Sequence, residues 1–118
     1  MAENKYAQFI RKQLRNCNAE CIPIVANKYA PAGWPDTYVS HPYWHGWIEF
    51  KDVSTKIQKH QVRQLEKLRK NGEQAWVVRA PDKIQDPDGN TVATFEPRSS
   101  VDLLRVLQRL QNERSGTS

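Results

Sequence analysis

The sequence predicts an α/β fold, a central mixed β-sheet flanked by α-helices. Three observations carry that expectation. Apolar residues recur at helical spacing in three segments, short apolar runs bounded by turn residues lie between them, and the order reads helix, three strands, helix, further strands, helix. The 118 residues are enough for one core, so residues 1–114 are expected to form a single domain with 115–118 as a frayed tail.

In chain order, residues 2–16 read as a helix. Tyr6, Phe9, Ile10 and Leu14 make its apolar stripe, and Lys5, Arg11, Lys12 and Arg15 fall elsewhere. Residues 21–26 form a short apolar run in which Pro23, unable to donate to a ladder, marks an edge strand. Pro31, Gly33 and Pro35 make residues 29–35 a loop. Residues 36–40 and 46–51 read as two strands joined by the aromatic turn His41-Pro42-Tyr43-Trp44-His45. A helix is expected over Thr55–Lys70, closed by Asn71-Gly72. Residues 74–80 read as a buried strand, followed by a hairpin turning at Asp86-Pro87-Asp88-Gly89-Asn90. The closing helix, residues 101–111, has Ser99 or Ser100 as cap and Val101, Leu104, Leu107 and Leu110 inward.

Charge narrows the partners. Lys plus Arg is 18 against 13 for Asp plus Glu, a net charge of +5, which favours an anionic partner. No apolar run approaches the ~18 residues of a membrane span. Residues 1–5 lack the apolar stretch of a secretory leader, and two cysteines fit reduced thiols, so a cytoplasmic protein without a membrane partner is expected.

The chemistry concentrates in two strands. Glu49 and Lys51 are two apart and share a face, while Ile48 and Phe50 point to the other. If the strands are antiparallel neighbours, Asp36 lies beside them. Two adjacent carboxylates repel unless a cation sits between them, and a hard divalent ion with oxygen ligands resolves that. Lys51 adds a positive charge that can stabilise an oxyanion or position a water. These are parts for metal-assisted phosphodiester hydrolysis. On the following helix, Gln61 falls on the inward stripe Ile57-Leu65-Leu68, and its amide needs a polar partner, expected near Lys51. Lys56, Lys59, Arg63, Lys67 and Lys70 occupy the opposite flank, a ridge suited to a phosphate backbone.

Gly33-Trp34-Pro35-Asp36, then Glu49-Phe50-Lys51, then Gln61, with Gly72 ahead of Trp76-Val77-Val78, resembles the PD-(D/E)xK nucleases. Within them it is most similar to the virus-type replication-repair nuclease domain, VRR-NUC, over residues 3–78. The resemblance implies a restriction-endonuclease-like core and a Mg²⁺- or Mn²⁺-dependent DNA endonuclease. It implies Asp36, Glu49 and the Phe50 carbonyl as metal ligands, Glu3 as an outer or second-metal ligand, Lys51 as catalytic lysine and Gln61 as its support. It further implies structure-specific cleavage of a Holliday junction or other branched DNA by a homodimer, in a bacterial or phage-infected cell. The unusually aromatic turn departs from the pattern. Trp44 there either stacks on an exposed base or packs against the second helix or across a dimer interface.

Two other readings compete. One is a non-catalytic nucleic-acid-binding module on the same fold. The other is a zinc-stabilised adaptor using Cys17, Cys21, His41 and His45, although Pro42 denies the two histidines a shared helix.

Overall fold

The computed structural model describes residues 4–24 and 33–114. Glu3, the expected strand residues Val25 and Ala26, loop residues 29–32 and the tail 115–118 lie outside them. The elements are α1 (Lys5–Asn16), β1 (Glu20–Pro23), β2 (Thr37–Ser40), β3 (His45–Lys51), α2 (Lys59–Lys70), β4 (Ala75–Arg79), β5 (Lys83–Gln85), β6 (Thr91–Thr94) and α3 (Ser100–Arg114).

The six strands form one sheet in sequence order, β1 to β6, with β1 at an edge as Pro23 requires. Every neighbouring pair is antiparallel except β3 and β4, which run parallel. Parallel neighbours need a long crossover, and α2 supplies it. The sheet is therefore mixed, as the sequence predicts.

Side-chain alternation on β3 and β4 sorts the core into two layers. Ile48, Phe50, Trp76 and Val78 join Ala7, Ile10 and Leu14 of α1 and Leu103, Leu104 and Leu107 of α3 on one face. Ala75 and Val77 meet Leu65 and Leu68 of α2 on the other, with Trp34, Trp47 and Ile57 packed at the margin. Burying each large aliphatic side chain contributes roughly 1.5–3 kcal/mol, so both helical layers are held by the same alternation.

Several expectations are corrected. α1 starts at Lys5 because the Asn4 side chain accepts the N–H groups of Tyr6 and Ala7 at 2.9 and 3.2 Å. Its inward arc is Ala7, Ile10, Arg11 and Leu14, so Phe9 is 40% exposed while Arg11 is buried at 5%. Ala7 moves the arc: residues 7, 11 and 14 follow the same three-and-four spacing as the aliphatics.

α2 starts at Lys59, four residues later than its periodicity suggests. Arg79 Nη1 donates to the carbonyls of Asp52 and Thr55 at 2.6 and 2.7 Å, which draws that backbone toward β4 instead of into a helical turn. Lys56 and Ile57 thus precede the helix. Its end is as expected: Asn71 is the C-cap and Gly72 takes φ +91°, the left-handed region open to glycine.

The 86–90 hairpin turn forms, with the Asp86 N–H donating to the Asn90 carbonyl at 3.0 Å. α3 buries Leu103, Leu104, Val106, Leu107 and Leu110, with Val101 only partly covered.

Candidate active site

β2 and β3 pair in a register that sets Thr37 opposite Ile48. Asp36, one residue ahead of β2, continues the hairpin beside Glu49. Its N–H donates to Glu49 Oε1 at 3.2 Å, and its Oδ2 accepts the Phe50 N–H at 3.1 Å. Glu49 and Lys51 alternate with Phe50, so both point to the α2 face. There Lys51 Nζ lies 3.5 Å from Glu49 Oε2.

Gln61, in the first turn of α2, joins the two. Its Oε1 accepts from Lys51 Nζ at 2.8 Å and its Nε2 donates to Glu49 Oε2 at 3.1 Å. The same Oε1 accepts the Gln58 N–H at 2.9 Å, so the side chain that reaches the site also caps the helix. The expected partnership of Gln61 with Lys51 is present, although Ile57 no longer shares its helix. Gly33, at φ +98°, brings the Trp34-Pro35-Asp36 segment against the start of α2, since a Cβ there would stand 3.0 Å from the His60 carbonyl oxygen.

Burial sets the electrostatics. Glu49 and Lys51 are 5% and 7% exposed. Desolvation pushes Glu49 up to about 7, the negative charge of Asp36 adds to the rise, and Lys51 opposes it. Desolvation likewise pushes Asp36 up to about 6, against the Phe50 N–H, the Thr37 hydroxyl and the charges of Arg11 and Lys51. Two acceptor-only groups held together at this cost fit a hard divalent cation, because Asp36 Oδ1, Asp36 Oδ2 and Glu49 Oε1 each accept one hydrogen bond and keep a lone pair, while Glu49 Oε2 faces both Gln61 and Lys51. Among the described residues no group of three or more His, Cys, Asp and Glu side chains converges on one point.

The remaining predicted residues are dispersed. Lys59, Arg63 and Lys67 lie exposed along α2, and Lys56 is exposed ahead of it. An open cleft of about 730 Å³ between α2, the 86–88 turn and Arg114 is lined by Arg63, Lys67 and Lys70 but also by Glu66, Asp86 and Asp88, and neither Asp36 nor Glu49 lines it.

Trp44 is 2% exposed and belongs to the α1–α3 core, which removes it as a base-stacking residue. A Cβ on Gly46 would stand 2.7 Å from its ring, so that glycine makes room for it. Cys17 Sγ donates to the Leu14 carbonyl, and His41 Nε2 faces the Cys17 carbonyl at 3.2 Å.

Two supporting residues escape the sequence reading. Arg11 Nη1 donates to Thr37 Oγ1 at 3.1 Å, and Thr37 Oγ1 donates to Asp36 Oδ1 at 3.1 Å. Arg79, whose Nε donates to Gln85 Oε1 at 2.8 Å, pins the segment between Lys51 and α2. The position of Arg11, four after Ala7 and three before Leu14, is the signal that would have placed it inside. Nothing local in the sequence marks Arg79.

No family model matches the chain, and no curated protein sequence matches it. Among solved structures, it is similar to Hjc, a Holliday junction resolvase from the archaeal hyperthermophile Archaeoglobus fulgidus. The superposition has a TM-score of 0.58 at 15% identity and covers 87% of this chain and 98% of that one. The fold is the restriction-endonuclease-like α/β class. Among the described residues no helix is long and apolar enough to cross a membrane.

Proposed function

We propose that this chain is a divalent-metal-dependent DNA endonuclease of the PD-(D/E)xK type, nearest to VRR-NUC, that cuts Holliday junctions or other branched DNA. The observation that carries the reading is the set of contacts Asp36–Glu49–Gln61–Lys51: the half-buried Asp36 bonded through its N–H to the buried Glu49, and Glu49 and the buried Lys51 bridged by one amide. The likeness of the fold to a junction resolvase supports it.

Asp36, Glu49 and the Phe50 carbonyl would hold Mg²⁺ or Mn²⁺, with Glu3 as a further ligand. When bound, such an ion supplies a Lewis acid that acidifies water and neutralises phosphate charge. Asp36 and Glu49 would fix its place, and the β2–β3 register sets their spacing. Lys51 has three donors. One is spent on Gln61 and one faces Glu49, leaving the third for an attacking water or a phosphate oxygen. Gln61 has only one useful orientation, because Lys51 needs its oxygen and Glu49 its nitrogen. Lys56, Lys59, Arg63 and Lys67 would follow the DNA backbone. A homodimer would set two such sites on the two strands of a symmetric junction.

The test is cleavage of labelled four-way junction, flap, duplex and single-stranded DNA with Mn²⁺, beside EDTA and Lys51→Ala controls. Junction cutting that vanishes in both controls is the expected result. Tight binding without cleavage of any substrate would replace the nuclease by a binding module.

A further inference from the structure

We propose that Arg11 and Thr37 act as a relay that positions the Asp36 carboxylate for metal binding, which makes Arg11 a positioning residue for the cleavage proposed above. The inference rests on that reading. It starts from an anomaly of burial. Arg11 is 5% exposed and Thr37 is fully buried, within a layer otherwise made of aliphatic and aromatic side chains. Desolvating a guanidinium is expensive, and such a residue is retained in a core only where hydrogen bonds and charge use it.

The contacts give that use a direction. The Arg11 guanidinium carbon stands 5.7 Å from the centroid of the Phe50 ring, which fixes the side chain against β3. Nη1 donates to Thr37 Oγ1, whose single proton must then go elsewhere, and it goes to Asp36 Oδ1. An Arg donor thereby dictates the hydroxyl rotamer, and the hydroxyl dictates the carboxylate. Asp36 Oδ2 is held from the other side by the Phe50 N–H. With one oxygen pinned from β3 and the other from α1 through Thr37, the carboxylate plane has no freedom to rotate away from Glu49. Outer groups that orient a ligating carboxylate typically contribute 10–100-fold to metal affinity. The arrangement spans the sheet: the relay begins on the α1 face, and the site it orients opens on the α2 face.

The test compares wild type with Thr37→Val, Thr37→Ser, Arg11→Met and the Thr37→Val/Arg11→Met double variant. Mn²⁺ binding is read by electron paramagnetic resonance, the Mn²⁺ dependence of junction cleavage by single-turnover kinetics, and folding by thermal melts. Thr37→Val, which keeps the shape and deletes the hydroxyl, is expected to weaken Mn²⁺ binding about 10–100-fold, moving the Mn²⁺ midpoint more than the plateau rate. Arg11→Met should do the same, the double variant should be no worse than the weaker single one, and Thr37→Ser should restore wild-type binding. A folded Thr37→Val with an unmoved Mn²⁺ midpoint overturns the relay alone. So does additive loss in the double variant, which would mark Arg11 as ordinary packing. Wild type that neither binds Mn²⁺ nor cuts any substrate overturns the nuclease reading, and the relay with it.

Discussion

Lys51 and Gln61 meet at 2.8 Å across the gap between the end of β3 and the first turn of α2. The bond ties the arrival of the crossover helix to the orientation of the site lysine. Its loss should therefore be felt twice. Gln61→Ala should lower stability by about 1 kcal/mol through the lost cap and lower cleavage in addition, by about 10-fold or more as Lys51 and Glu49 lose their common partner. Thermal melts and single-turnover cleavage on the same preparation separate the two effects. A fall in stability alone would reduce Gln61 to a capping residue.

Removing the lysine should act on chemistry and leave binding intact. Lys51→Met keeps the aliphatic stem and is expected to reduce the cleavage rate by at least about 100-fold, the scale for loss of a preorganised electrostatic donor. Junction affinity measured in Ca²⁺ or EDTA should stay near that of wild type. Equal losses in both would place Lys51 in substrate binding.

The carboxylates predict a pH signature of the metal-free protein. Folding raises Asp36 to about 6 and Glu49 to about 7, above the roughly 4 of an unfolded chain. The folded state then holds more protons between about pH 4 and 7, so stability present below pH 4 is lost as pH rises through these values and is flat beyond them. Melting temperature without metal should fall from pH 5 to pH 8. Glu49→Gln should flatten the fall, and Mn²⁺ should raise melting most above pH 7, where its binding no longer competes with protons. A metal-free melting temperature that rises over this range would contradict the burial of the pair.

The basic ridge on α2 makes a thermodynamic prediction. If Lys59 and Arg63 contact phosphates, the slope of log affinity against log salt should shrink by about 2 in Lys59→Glu/Arg63→Glu, at roughly 0.9 per contact for duplex DNA. Titrations at three salt concentrations with Ca²⁺ in place of Mn²⁺ measure it. An unchanged slope would move the DNA to another face.

Trp44 now belongs to the core. Trp44→Ala should destabilise by about 3–5 kcal/mol, as for other buried large aromatics. Under conditions where the variant remains folded, junction affinity should equal that of wild type. A selective loss of affinity at full stability would return the ring to the DNA surface.

The sequence carries the fold unevenly. Alternation alone places Glu49 and Lys51 on one face and Ile48 and Phe50 on the other, and the two core layers obey it. The Asp36–Glu49 meeting follows from one further assumption, an antiparallel hairpin, which the strand register supplies. What escapes is what depends on distant partners. The start of α2 is decided by Arg79, 24 residues beyond Thr55, and no local pattern announces a guanidinium that captures backbone carbonyls. The spacing of Arg11 from Ala7 and Leu14 marks its inward turn, but its partner Thr37, 26 residues away, is not marked. Trp44 reads as a turn aromatic until Gly46 is seen to leave a hollow for it.

The four side chains of the proposed centre all lie within residues 36–61, carried by one hairpin and the opening turn of one helix. The centre is thus local in sequence, with Arg11 and Arg79 as its supports from outside. Helix α3 seals the opposite layer, and β5 reaches the segment through Gln85, which holds Arg79. Grafting residues 33–61 onto another parallel-pair scaffold would carry the centre with it only where that scaffold also supplies the Arg79 contacts to Asp52 and Thr55. The helper on α1 would have to be rebuilt separately.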